Sequence, residues 1–140
     1  MHESNKNHMK SDGDLRRLFR KNLPEVFWTS IESRLTQQGI PDLHGICKGK
    51  SFWIENKKAR GNIVRFQPMQ IGWLKRYARC GGACFVAVRA KNALWLLPGG
   101  SVEVIAVKGL TAMPKQTLLG SNGPKAWPWP RILELLQGVA

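Results

Sequence analysis

Apolar residues recur at helical spacing between residues 14 and 23, where Leu15, Leu18 and Phe19 share a side and Leu23 joins them just before Pro24. This predicts a short amphipathic helix, capped by Ser11, Asp12 or Asp14 and stopped ahead of the proline. Residues 26–35 (VFWTSIESRL) are rich in β-branched and aromatic side chains and alternate roughly, which predicts a strand. Two further strands are expected over 43–47 and 51–57, with Lys48-Gly49-Lys50 as a hairpin turn. The clearest helical pattern spans 68–80. Pro68 sits in the first turn, Ile71, Leu74 and Ala78 line one face, and Gly81-Gly82 supplies a left-handed cap. ACFVAVRA (83–90) and ALWLL (93–97) read as strands around the Lys91-Asn92 turn. After Pro98-Gly99-Gly100, SVEVIAV suits either a strand or a short helix, 111–129 reads as loop, and 132–137 as a closing helix. The order is that of a mixed α/β sandwich.

The chain has 140 residues, the size of one domain, and 43% of them are hydrophobic, enough for one core. Residues 1–13 are polar and aperiodic and are expected to fray as a disordered N-terminus. Residues 14–98 form the expected core, and 99–140 an extension packed on it within the same domain. No apolar run is long enough to span a membrane, and the polar start is unlike a signal peptide, so the expected location is the cytoplasm. Three cysteines, an odd number, argue for reduced thiols. Charge changes the picture most. With 22 Lys+Arg against 9 Asp+Glu the net charge is +13, which points to a polyanion: nucleic acid first, an anionic membrane surface second.

Acidic residues that persist in so basic a chain are either ion-paired or hold a cation. Pro41-Asp42 should stand at the entrance of a strand, because proline cannot sit inside a central ladder. Glu55-Asn56-Lys57 follows on the next strand. Alternation puts Glu55 and Lys57 on one face and Phe52, Ile54 and Asn56 on the other. If the two strands pair, two carboxylates and an ammonium meet. That set suits phosphodiester hydrolysis: carboxylates hold Mg²⁺ or Mn²⁺, and the ammonium orients a water and offsets charge on the phosphate. Taken singly, each element is also compatible with a solvated charged face.

Together these residues resemble the PD-(D/E)xK nuclease superfamily, most nearly its phage and bacterial VRR-NUC type, related in fold to Holliday-junction resolvases. The resemblance covers about residues 14–97. It includes Ile31-Glu32, Gly39-Ile40-Pro41-Asp42, Gln70-Ile71-Gly72-Trp73-Leu74 and the Gly81-Gly82 turn. It implies a restriction-endonuclease-like mixed β-sheet flanked by helices, a divalent metal (Mg²⁺ or Mn²⁺), and cleavage of DNA that is branched or bears single strands. Members are frequently homodimers. By the same resemblance Asp42 and Glu55 are metal ligands and Lys57 assists the water. Gln70 is the glutamine of the following helix, with Gln67 as alternative, and Glu32 the upstream acidic ligand, with Asp14 as alternative. A small single-domain nuclease of this kind suggests a phage protein acting in a host cytoplasm.

Lys58, Arg60 and Arg65 leave the site directly and are expected to follow the DNA backbone, since phosphate contacts supply affinity without sequence information. Two other readings stand beside the nuclease. One is a non-catalytic DNA-binding module on the same fold. The other is a zinc site from His44, Cys47, Cys80 and Cys84, although His44 and Cys47 would point to opposite faces of their strand. Most of the tryptophans, including Trp127 and Trp129, are expected to pack rather than stack on bases.

Overall fold

A computed structural model describes residues 14–138, so the expected fraying of 1–13 lies outside the described residues. Helix α1 covers 14–22. Then follow β1 (Phe27–Ser30), α2 (Ser33–Thr36), β2 (Leu43–Cys47), β3 (Lys50–Lys58), α3 (Pro68–Arg79), β4 (Cys84–Ala90), β5 (Ala93–Pro98), α4 (Val102–Lys108), β6 (Leu118–Gly120) and α5 (Trp129–Gln137). The six strands form one sheet in chain order. Every neighbouring pair is antiparallel except β3 and β4, which run parallel with α3 as their crossover.

Strand alternation divides the core into two layers. On one face Leu43, Phe52, Ile54, Ala87, Leu94 and Leu96 are wholly buried under Leu15 and Phe19 of α1 and Ile132 of α5. Trp127 and Trp129 join this layer, so the chain beyond 98 shares its core. On the other face Val86, Val88 and Leu97 pack under Leu74 of α3 and Val102 and Ile105 of α4. Among the described residues no helix is long and apolar enough to cross a membrane.

Two expectations need correction, and one left open is decided. The strand expected over 26–35 ends at Ser30. Its partner begins at Leu43, and the ladder closes with the Ile31 N–H donating to the Asp42 carbonyl at 2.9 Å. The next partner would be Pro41, which has no N–H to give, so the chain turns instead into α2. SVEVIAV resolves as helix α4, since Val102 and Ile105 are buried while Val104 and Val107 are exposed, a spacing of three. The segment 111–129 is not all loop: β6 pairs with β5 through Leu94 and Gly120. Three residues are too few to show alternation.

One glycine fixes the approach of the Pro41-Asp42 segment. Gly39 has φ +93°, and a Cβ there would lie 2.3 Å from the carbonyl oxygen of Met69 in the first turn of α3. Backbone meets backbone, so neither can yield. Gly61 has φ +59° with open space around it. Gly39→Ala is therefore expected to cost more than the ~1 kcal/mol of left-handed strain that Gly61→Ala carries, with a total of about 2 kcal/mol or more. Urea unfolding of the two variants checks this. Equal losses would mean that the loop can retreat from α3.

Candidate active site

Asp42 immediately precedes β2, and its carboxylate turns toward β3. Oδ1 accepts the Asn56 backbone N–H at 2.8 Å, and Oδ2 accepts Asn56 Nδ2 at 3.2 Å. The Arg16 guanidinium of α1 stands 3.8 Å from Oδ2. Glu55 and Lys57 share the other face of β3, where Lys57 Nζ lies 3.6 Å from Glu55 Oε2. Lys57 also sits 4.9 Å over the Phe66 ring.

Gln70, the third residue of α3, joins these groups. Its Oε1 accepts from Lys57 Nζ at 2.8 Å and from the Gln67 N–H at 2.9 Å. With both donors on the oxygen, the amide nitrogen must face the other way, and Nε2 donates to Glu55 Oε2 at 3.2 Å. Proline in the first turn starts α3 at the place that delivers Gln70 to the strand.

These side chains line a cavity of about 250 Å³, joined by Arg16 from α1 and by Ser33 and Thr36 of α2. Asp42 is 9% exposed and Glu55 4%. Burial pushes the Glu55 carboxyl up to about 8; the neighbouring Asp42 charge adds to this, and Lys57 opposes it. Burial likewise raises Asp42, against the hydrogen bonds from Asn56 and the charge of Arg16. Glu55 Oε1 is buried with no hydrogen-bond partner. A pair of buried carboxylates, neither with a cationic side chain closer than 3.6 Å and one with a free oxygen, is a donor set suited to a hard divalent cation.

Asp42, Glu55, Lys57 and Gln70 are thus brought together as the sequence indicates. Glu32 is not. Because β1 stops at Ser30, Glu32 falls at the exposed start of α2: its neighbours Ile31 and Ser33 line the cavity, and Glu32 itself does not. Asp14, the alternative, is held by Arg17 and Arg89. Gln67 caps α3 and is exposed. Lys58, Arg60 and Arg65 are all exposed. Arg65 lines an open groove of about 700 Å³ that continues from Lys57 past Phe66. His44, Cys47, Cys80 and Cys84 do not converge: Cys47 and Cys84 are buried in opposite layers, Cys80 is exposed, and His44 packs on the Trp53 ring at 4.5 Å. No group of three or more His, Cys, Asp or Glu able to hold a metal occurs among the described residues.

Sequence reasoning missed Arg16 and Asn56. Nothing in the α1 pattern orients Arg16 toward the site. Asn56 did carry a signal, a polar residue where Phe52 and Ile54 set an apolar alternation.

A six-stranded mixed sheet between helices, with an acid–acid–lysine set beside its one parallel pair, defines a restriction-endonuclease-like nuclease fold of the PD-(D/E)xK superfamily. Residues 12–109 match the family of the archaeal Holliday junction resolvase (Hjc), and the chain belongs to that family of structure-selective DNA nucleases. Among solved structures it is similar to the Holliday junction resolvase Hjc of Archaeoglobus fulgidus, from an archaeal hyperthermophile. The TM-score is 0.54 at 14% identity, over 91% of this chain and 98% of the other. Comparison with curated proteins gives no match.

The raised Glu55 pKa has a measurable consequence. In the unfolded chain Glu55 ionises near 4.5, in the folded one near 8. Between those values the fold keeps a proton that the unfolded chain has released. The stability linked to Glu55 is therefore complete below about pH 4.5 and is lost as pH rises toward 8. Without divalent ions, Tm should fall across that window, and Glu55→Gln should flatten the fall. Mn²⁺ should raise Tm most at the upper end, where it displaces the fewest protons. A parent profile as flat as that of Glu55→Gln would refute the assignment.

Proposed function

We propose that the protein is a metal-dependent DNA endonuclease that hydrolyses phosphodiester bonds in branched or single-strand-bearing DNA. The observation that carries this is the cavity itself, where Asp42 and Glu55 are buried side by side with Lys57 and Gln70 hydrogen-bonded around them. Asp42 and Glu55 would hold Mg²⁺ or Mn²⁺. When bound, such an ion polarises the phosphate and lowers the pKa of water. Lys57, fixed by Gln70 and the Phe66 ring, directs its ammonium at the attacking water and offsets charge on the phosphate oxygens. Gln70 holds Glu55 and Lys57 in one relation, and Arg16 adds positive charge where the phosphate enters. Glu32, exposed at the head of α2 between the cavity-lining Ile31 and Ser33, would join Asp42 and Glu55 from the rim as the upstream acidic ligand. DNA follows the groove past Arg65, with Lys58 and Arg60 on the phosphates. The likeness of about residues 14–97 to VRR-NUC enzymes and action in a host cytoplasm, as a phage-encoded protein, belong to the same proposal.

A homodimer is the remaining part. It is supported by an apolar stretch on the α3 side of β1 and β2, where Phe27 is 72% and Ile46 39% exposed as directly paired neighbours. Sedimentation should show a dimer that Ile46→Asp dissociates. A monomeric parent would remove this part.

Cleavage tests the main reading. Glu55→Gln keeps the shape but removes the anionic ligand, and should slow Mn²⁺-dependent cutting of four-way or flap DNA about a thousandfold, equivalent to about 4 kcal/mol. Lys57→Ala should also stop cutting. Without metal the two should differ in sign: Glu55→Gln binds DNA as well or better, Lys57→Ala more weakly. A parent that leaves every DNA structure intact would make the protein a binding module. The log–log salt slope of binding, about −0.9 per phosphate contact, should flatten with Arg65→Glu and not with Lys115→Glu.

A further inference from the structure

Asn56 lies between Glu55 and Lys57 but faces the opposite side of β3, with Phe52 and Ile54. Alternation calls for an apolar residue there, and Asn56 is only 5% exposed. Its amide is half satisfied: Nδ2 donates to Asp42 Oδ2, whereas Oδ1 is buried with no partner. An orphaned carbonyl of this kind is destabilising and needs a reason. The reason is visible in the same residue. Its main-chain N–H takes the other Asp42 oxygen, Oδ1, at 2.8 Å. The backbone donor alone, which any residue but proline would supply, leaves the carboxylate free to turn about its terminal torsion. A second donor on the second oxygen fixes its plane. Arg16, at 3.8 Å and with its side chain 29% exposed, is too loosely placed to do so.

We propose that the Asn56 side chain is a positioning residue, which sets the plane of the Asp42 carboxylate for cation binding at the expense of fold stability. This rests on Asp42 being a cation ligand. Asn56→Leu keeps the size and removes both the donor and the orphaned oxygen, and Asn56→Val does the same with a strand-favouring side chain. Without divalent ions at least one of them should melt at or above the parent temperature. That variant should bind Mn²⁺ about ten- to a hundredfold more weakly, read by electron paramagnetic resonance in the absence of DNA. Its kcat should fall while its KM for DNA stays unchanged. Parent-like Mn²⁺ affinity in a folded variant would overturn the proposal. So would a fall in Tm in both variants that matches the loss of Mn²⁺ binding, because Asn56 would then be structural. A parent that binds Mn²⁺ but cuts no DNA would sink the nuclease reading alone, with the Mn²⁺ comparison still judging Asn56. A parent that binds no Mn²⁺ would sink both.

Discussion

Asp42 and Glu55 lie beside one another where the surroundings favour neither as an anion, and the neighbouring side chains all answer to that cost. Burial acts first on both; the Asp42 charge raises Glu55 further, while the Asn56 donors and the Arg16 charge hold Asp42 down. Lys57 supplies one charge, and Gln70 ties it to Glu55. Arg16 and Asn56 serve Asp42 from the opposite layer. What these groups leave undone, the free Oε1 of Glu55, is the opening for a cation. The sheet makes this arrangement rigid, since both carboxylates stand on or beside paired strands whose hydrophobic faces are filled on either side.

Much of the site was legible because it is written in local rules. Proline before Asp42 marks a strand entrance, period two puts Glu55 beside Lys57, and proline at the start of α3 sets Gln70 in the first turn of a helix. Those rules concern neighbours in sequence. The expected strand ran on past Glu32 because the end of β1 depends on Pro41, ahead of the partner strand, which no pattern within 26–35 contains. Arg16 was missed for a related reason: α1 reveals its apolar face but not which charged residue of the other face meets a strand 26 residues later. β6 exists only because β5 offers it an edge.

The two layers carry different duties. The layer under α1 and α5 is almost wholly hydrophobic and draws in the tail through Trp127, Trp129 and Ile132, so it ties the last helix to the sheet. The layer under α3 is hydrophobic beneath Leu74 and polar at Gln70 of the same helix. One helix thus seals the core with its middle and completes the cavity with its first turn. Substitutions along α3 should be judged by which of these ends they touch.

The single parallel pair also governs the order of assembly. β2–β3 and β4–β5 are joined by short turns, and β1 reaches β2 through α2, so these antiparallel pairs close over small loops. Bringing β4 alongside β3 means closing the whole stretch from Lys58 to Cys84, which is entropically dearer and slower. Gln70 reaches Glu55 and Lys57 only when that stretch has docked as α3. A chain with its hairpins formed and its crossover still loose already has its positive charge but not its cavity. In such a chain the amide that ties Glu55 to Lys57 has yet to arrive, so the site is the last part of the sheet to be completed.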